Sequence, residues 1–176
     1  MDFWQLADSW STVWEFESRP LLRPLVERCL RAAHAAPASP GIPPWRFTVL
    51  MDPAALAQLS TALAAAAGPA GGALVSACRQ APLVVAVSSL STGDGDAQGA
   101  SRLRVAACLQ NLLLCAWDEG VGSVTLEGAR WDTPGVRAAC QMGAAEEFCA
   151  LVGLGFPASV PPRHPRPPLA QVTRWR

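Results

Sequence analysis

Residues 101–119, which read SRLRVAACLQNLLLCAWDE, decide the fold of this chain. Apolar residues recur in this stretch every three or four positions and cover most of the circumference of a predicted helix. They are Leu103, Ala106, Ala107, Leu109, Leu112, Leu113 and Ala116. Because such a helix needs apolar neighbours on nearly every side, we expect it in the middle of the protein or in a subunit interface. Gly120 and Gly122 supply its C-terminal break.

The segments around this helix predict a sheet combined with further helices. Short runs rich in β-branched and apolar residues indicate strands at 46–51, 82–88, 123–126 and 148–154. Helical spacing indicates helices from Pro20 or Pro24 to Ala36, over 53–67, near 73–79 and around 134–142. The proline-rich run 37–44 is expected to be a rigid loop, and the polar run 89–99 a mobile one.

The composition indicates one domain with a low surface charge. A length of 176 residues fits a single domain over 1–176, with an N-terminal segment at 1–19 and an extended C-terminal arm at 157–176. The formal net charge is zero, which argues against a partner of nucleic acid or anionic membrane. Charged residues make up only 16% and hydrophobic residues 51%, so we expect a sizeable subunit interface.

Several kinds of chemistry and location are disfavoured by the residues present. The sequence contains no lysine, which excludes Schiff-base catalysis. Six cysteines without a C-x-x-C pair predict buried, reduced thiols in a cytoplasmic protein. His34 and His164 lie far from any cysteine in sequence, so no metal site is predicted. The chain starts without a signal-peptide pattern and has no uninterrupted apolar run of about 18 residues, so neither secretion nor membrane spanning is expected.

Three sequence blocks, in the same order along the chain, resemble the nitroreductase family. AAHAAP at 32–37 with PWRF at 44–47 is similar to the family's A-P-S and Q-P-W-x-F. QNLLL at 110–114, GVGS at 120–123 and LEG at 126–128 are similar to its Q-N-L-L-L, G-L-G-S and E-G segments. LGFP at 154–157, followed by Arg163, Arg166, Pro168, Leu169 and Val172, is similar to its L-G-x-P and its basic terminal segment.

This resemblance implies an α+β fold with a mostly antiparallel central sheet flanked by helices. It also implies an intertwined homodimer with two FMN sites at the interface. The activity implied is that of an FMN-dependent oxidoreductase, in which NAD(P)H is the possible co-substrate and a small molecule the second substrate. In such an enzyme the flavin carries the redox chemistry, so no catalytic side chain is assigned with certainty.

The same resemblance assigns a flavin cradle to specific positions. A donor near flavin N5 is expected from Glu127-Gly128, and a phosphate contact from Arg166 with Arg163 nearby. The complete set implied by the resemblance is Ser11, Thr12, Pro37, Ala38, Ser39, Gly41, Leu126, Glu127, Gly128, Arg163 and Arg166.

The chain departs from the family where the family carries its cations. Without gaps, the family's R-R-S-x-R-x-F falls on residues 10–16, so Trp10, Ser11 and Trp14 stand in place of arginines. Ala38, Gly41 and Pro43 likewise replace the family's Ser, Asn and Gln. Each charge-assisted phosphate contact that is lost costs about 1.5–3 kcal/mol of binding.

These departures leave two alternatives to an active flavoenzyme. One is a degenerate subunit without independent catalysis, which forms a heteromer with an active family member. The other is a protein that binds flavin or another flat ligand without turnover. Trp4, Trp10 and Trp14 either stack on a ligand or cover a helix face against a partner subunit, and the second interpretation is favoured. His34 is expected to be a helix-surface or capping residue.

Overall fold

A four-stranded antiparallel sheet lies at the centre of the computed structural model, which describes residues 1–38, 43–68, 72–90, 95–163 and 165–176, without the side chains of 95–98. The strands are β1 (Trp45–Leu50), β2 (Leu83–Leu90), β3 (Gly122–Glu127) and β4 (Glu146–Gly155). Their order across the sheet is β1-β2-β4-β3, so β2 and β4 are central. The uniformly apolar run of β2 is buried on both faces of the sheet, as the sequence predicts.

In the described part of the chain, six α-helices complete the α+β fold. They are α1 (Phe3–Ser9), α2 (Arg23–His34), α3 (Pro53–Ala67), α4 (Ala73–Gln80), α5 (Gly95–Asp118) and α6 (Pro134–Ala139). The Asp52 carboxylate caps α3 by accepting from the N–H groups of Ala54 and Ala55, both at 3.0 Å. No helix in the described part of the chain is long and apolar enough to cross a membrane.

One sequence prediction about local structure was wrong, and one helix was missed. Within the expected mobile loop at 89–99, residues 89–90 belong to β2 and residues 95–99 to α5, while 91–94 lie outside the described residues. Helix α1 was not predicted, although Asp2 and Gln5 form a capping box around its first turn, with Gln5 N–H donating to Asp2 Oδ1 at 2.9 Å. The D-x-x-Q spacing was the available signal.

The long helix α5 packs against one face of the sheet and against α2. Its buried residues Val105, Cys108, Leu112 and Ala116 recur at helical spacing in a core shared with α2, β2 and β4. Asn111 Nδ2 donates to the carbonyl oxygen of Ala32 at 3.2 Å and so closes the end of α2. A second core, with α3, α4 and α6, covers the opposite face of the sheet.

The other half of α5 is not covered by this chain. Leu103 is 75% exposed, and Ala106, Ala107 and Gln110 are also exposed. Further large apolar side chains are exposed on α1 and the C-terminal arm. They are Phe3, Trp4, Val160, Leu169, Val172 and Trp175. The sequence predicts apolar neighbours on nearly every side of this helix. Within a single chain, α5 has them on one side only.

The N-terminal segment after α1 runs along the edge of the sheet. Thr12 forms a parallel bridge with Ser123 at the edge strand β3, and the Val13 N–H donates to the Ser123 carbonyl at 2.9 Å. The Glu17 N–H donates to the Phe156 carbonyl at 2.8 Å, just beyond β4. Gly122 leaves room for this segment, because a Cβ atom there would lie 2.9 Å from Val13 Cβ. The segment is thereby fixed at a defined position.

We expect Gly122→Ala to destabilise the protein by about 1–3 kcal/mol, since Val13 is fully buried and cannot move aside. The measurement is the free energy of unfolding in urea. Gly99→Ala is the matched control, because Gly99 is inside α5 with no atom within 4 Å of its virtual Cβ, and should be neutral or stabilising. Equal stability of the two variants would contradict this account of the segment.

The buried thiols predict a loss of stability at alkaline pH. Burial raises the pKa of Cys29, Cys78 and Cys108 from 9.0 to about 12, and that of Cys140 to about 11. Between pH 8.5 and 10 the unfolded chain loses these protons while the native protein keeps them, so stability falls as the pH rises. We expect roughly 1 kcal/mol of loss per buried thiol.

Urea unfolding at the two pH values, with reductant, measures this effect. The sequence has no lysine or tyrosine, so few other groups titrate in this range. Cys108→Ala should reduce the loss of unfolding free energy between pH 8.5 and 10 by the roughly 1 kcal/mol expected for one buried thiol. A free energy of unfolding that stays constant from pH 8.5 to 10 would show that the thiols are not shielded in the native state.

Candidate functional site

The segment that follows α1 and the C-terminal arm enclose a cleft of about 190 Å³. We call it the arm cleft, and its walls are Trp10, Ser11, Thr12, Trp14, Pro161, Pro162, Arg163 and Arg166. Four of the residues assigned to the flavin cradle from sequence, Ser11, Thr12, Arg163 and Arg166, therefore lie together. They come from opposite ends of the chain, and the edge pairing of residues 12–17 brings them into contact.

The two arginines of the arm cleft have different surroundings. Arg163 Nη1 donates to the Asp8 carbonyl at 2.6 Å and to the Asp8 carboxylate at 3.1 Å. Arg166 is exposed, and within the described part of the chain it forms no ion pair. One guanidinium is thus engaged by the protein itself, and the other is available to a ligand.

A second cleft of about 520 Å³ adjoins the first and shares Trp10 and Thr12 with it. We call it the central cleft. Its remaining walls are Leu74, Ala106, Leu109, Gln110, Leu113, Thr125 and Glu127. The exposed half of α5 supplies most of its apolar surface, and Gln110 contributes an amide that can both donate and accept hydrogen bonds.

A third cleft of about 580 Å³ shares Ala106, Leu109 and Glu127 with the central cleft. We call it the Gly128 cleft. Its remaining walls are Arg102, Val105, Gly128, Ala129, Asp132, Glu147, Phe148, Cys149 and Ala150. Gly128 has φ 97° and ψ 156°, a conformation that is essentially restricted to glycine. Its peptide group can therefore face the cleft at an angle that no other residue adopts without strain.

Charged side chains of both signs line the Gly128 cleft. Arg102 Nε donates to Glu147 Oε1 at 2.9 Å across one wall. Asp132, at another wall, accepts from Arg137 Nη1 at 2.9 Å. The Glu127 side chain, at the junction with the central cleft, is exposed. This end of the site is thus polar, whereas the α5 wall is apolar.

Cys149 is the only cysteine that lines any of the three clefts in the described part of the chain. Burial, together with a smaller effect of the nearby Glu147 carboxylate, raises its pKa to about 11, while Arg102 acts in the opposite direction. At neutral pH the thiol is therefore protonated and a poor nucleophile. No group of three His, Cys, Asp or Glu residues among those described could hold a metal ion.

The remaining cradle residues assigned from sequence lie elsewhere. Leu126 is fully buried in the core behind the cleft, so its side chain faces away from any ligand. Pro37 and Ala38 are exposed beyond the end of α2 and line none of the three clefts. Ser39 and Gly41 lie outside the described residues. Leu126 lines none of the three clefts, and its side chain packs in the second core on β3.

Sequence analysis did not assign several residues that line the clefts. Gln110 was recognised only as part of a family motif, and its exposure on α5 could not be read from a helix that is apolar almost all round. Arg102 and Glu147 are far apart in sequence and meet only in the folded chain. His34, the last residue of α2, is exposed, as expected of a helix-surface residue, and its Nδ1 accepts a hydrogen bond from Trp45 Nε1 at 3.1 Å.

Comparison with known proteins agrees with this architecture. The sequence matches the model of the nitroreductase family over residues 7–156, and no curated protein matches it. Among solved structures, a nitroreductase-like family protein from Bacillus cereus superposes with a TM-score of 0.86, at 16% identity over 100% of this chain and 96% of the other. A BluB-like flavoprotein from Clostridium difficile gives a TM-score of 0.83, at 14% identity over 100% and 99%.

An oxidised iodotyrosine deiodinase bound to FMN and 3-iodo-L-tyrosine is also similar, with a TM-score of 0.81 and 20% identity over 98% of both chains. At these identities the superpositions show the shared fold alone. The family match, by contrast, covers well over half of the sequence and includes both the N-terminal segment and the strand that ends at the arm. The chain therefore belongs to the nitroreductase family.

Proposed function

We propose that this protein is an FMN-dependent oxidoreductase of the nitroreductase type that transfers a hydride between NAD(P)H or an organic substrate and its flavin. The observation that carries the proposal is the order of the three adjoining clefts. The arm cleft holds hydroxyls and a free guanidinium, the central cleft has an apolar wall, and the Gly128 cleft presents a specialised backbone turn. The groups of a flavin mononucleotide follow a matching order, from its phosphate through its ribityl chain to its flat ring.

The donor groups in these clefts fit a flavin. Trp10 Nε1 is buried and has no hydrogen-bond acceptor among the described residues, although Trp10 lines both the arm cleft and the central cleft. A buried N–H without an acceptor costs about 1–3 kcal/mol, which an acceptor on a ligand would recover after a small adjustment of the indole. Thr12 and Gln110 add further hydrogen-bonding groups beside it.

Flavin, when bound, supplies the hydride chemistry, and each cleft has a separate part in holding it. Ser11 and Thr12 would donate to phosphate or ribityl oxygens, and Arg166 would balance negative charge. Leu109 and Leu113 would exclude water from one face of the ring. The turn at Gly128 would present a backbone N–H towards the ring edge, as the family resemblance implies for N5.

We further propose that the functional unit is a homodimer. The exposed apolar half of α5 and the exposed side chains of α1 and the arm need a second subunit to cover them. The position of Pro37 and Ala38, away from the clefts of their own chain, suits a site to which a second copy contributes this loop. Light scattering on the purified protein tests this proposal, and a monomer would refute it.

The alternative is a subunit without independent catalysis that pairs with an active family member. Trp10 and Trp14, at positions where the family has cations, favour it. The deciding experiment is an absorbance spectrum between about 350 and 500 nm after incubation with FMN and desalting. Retained flavin near one per chain that is bleached by NAD(P)H supports the enzyme. A colourless protein that co-purifies with a flavoprotein supports the alternative.

Gly128→Ala should weaken FMN binding more than tenfold, because alanine at φ 97° forces the turn into another conformation and moves the N–H group. The dissociation constant is measured by quenching of flavin fluorescence. Gly68→Ala is the matched control, since Gly68 also has a glycine-only conformation, at φ 62° and ψ −162°, and is remote from all three clefts. FMN affinity reduced equally in both variants would argue against a specific role for Gly128.

Cys149→Ala should leave turnover of NAD(P)H within about twofold of the unmodified protein. The thiol has a pKa of about 11, so at pH 8 about one molecule in a thousand carries a thiolate, and the proposed chemistry requires none. The measurement is the rate of NAD(P)H oxidation with a quinone or nitroaromatic acceptor. A loss of more than tenfold, with flavin still bound, would indicate a covalent role for Cys149 and contradict a purely flavin-borne reaction.

A further inference from the structure

The arm cleft combines aromatic walls with few available charges. Trp10 and Trp14 face it together with Pro161 and Pro162, so half of its eight lining residues are indole or pyrrolidine side chains. Trp14 is 38% exposed and lies at its mouth. Such surfaces pack well against carbon chains and flat rings but provide no charge for an anion. Half of the lining of the cleft therefore offers packing surface to a ligand, and any charge for a phosphate has to come from its two arginines.

One of the two cations of the arm cleft, Arg163, is already paired with an acidic residue. Arg163 donates through one nitrogen to both the carbonyl and the carboxylate of Asp8, at 2.6 and 3.1 Å. The Asp8 carboxylate, which is itself exposed, offsets part of the charge of this guanidinium and adds a negative charge beside the cleft. To bind a phosphate through Arg163, the protein would have to break the ion pair with Asp8 or hold the phosphate beside that carboxylate, which is also negatively charged.

The remaining cation, Arg166, is exposed to solvent. An ion pair in that position is screened by water and salt, and a flexible arginine loses side-chain entropy when it is fixed. Ser11 and Thr12 are neutral donors, and so is the indole N–H of Trp10. These groups can donate to a ribityl hydroxyl as well as to a phosphate oxygen, and none of them carries a positive charge to balance a phosphate dianion.

We infer that the arm cleft does not select for a phosphate, and that the protein binds a neutral flavin such as riboflavin within about tenfold of its affinity for FMN. This inference rests on the proposed flavin site and concerns its ligand specificity. The affinity comes from the central and Gly128 clefts, where the ring and its chain would lie, and from packing against Trp10 and Trp14.

The test compares the dissociation constants of riboflavin and FMN for the full chain, measured by quenching of flavin fluorescence at about 50 and 300 mM NaCl. We expect a ratio below tenfold at both salt concentrations, because the phosphate makes no enclosed charged contact. FMN binding tenfold or more tighter than riboflavin overturns the inference but leaves the proposed function intact. Binding of neither flavin overturns both.

Two variants examine the cause directly. Trp14→Arg restores a cation to the mouth of the cleft, and Asp8→Asn releases the guanidinium of Arg163. Each should tighten FMN binding relative to riboflavin binding, by tenfold or more for Trp14→Arg and by a few-fold for Asp8→Asn, because only FMN carries the phosphate that the added or released cation attracts. Met51→Arg is the matched control, because Met51 is 39% exposed between β1 and α3, close to the exposure of Trp14, and lines none of the clefts. FMN affinity that does not rise in either variant overturns the assignment of this cleft to the phosphate end.

Discussion

The pairing of residues 12–17 with the ends of β3 and β4 is the constraint on which the rest of the site depends. It consists of a few backbone hydrogen bonds, among them Val13 N–H to the Ser123 carbonyl at 2.9 Å. These bonds place Trp10 and Thr12, which together form the wall between the arm cleft and the central cleft. Gly122, in the GVGS motif, has no side chain where Val13 packs. This glycine therefore allows the N-terminal segment to approach β3 closely. Without this pairing the first and last segments of the protein would not meet.

Helix α5 connects the core to the site because its two halves have different surroundings. One half is buried with α2 and the sheet, and the other forms the apolar wall shared by the central and Gly128 clefts. A surface of this kind is stable only when something covers it, either a flat ligand or another subunit. The same physical property, a helix apolar almost all round, therefore supports both the proposed flavin site and the proposed dimer.

The two ends of the site differ in the groups that they present to a ligand. At the Gly128 end, the specialised element is a peptide turn, and the neighbouring Cys149 is held as a protonated thiol. At the arm end, indole rings stand where the family has cations, and an acidic residue engages one of the two remaining arginines. A flavin bound here would be held by its ring and chain rather than by its charge. That distinction separates this chain from what its family motifs alone imply.

The sequence by itself determined the family, the α+β class, the four strands and the central position of residues 101–119, because periodicity and ordered motifs are local properties of the chain. It also assigned Gly128 and the two arm arginines to a candidate site, since these lie in motifs. Only the tertiary structure decided that Arg163 is paired with Asp8, 155 residues away, and that Leu126 faces the core. It likewise decided that the two tryptophans line a cleft. These facts depend on contacts between distant segments, which no local pattern records.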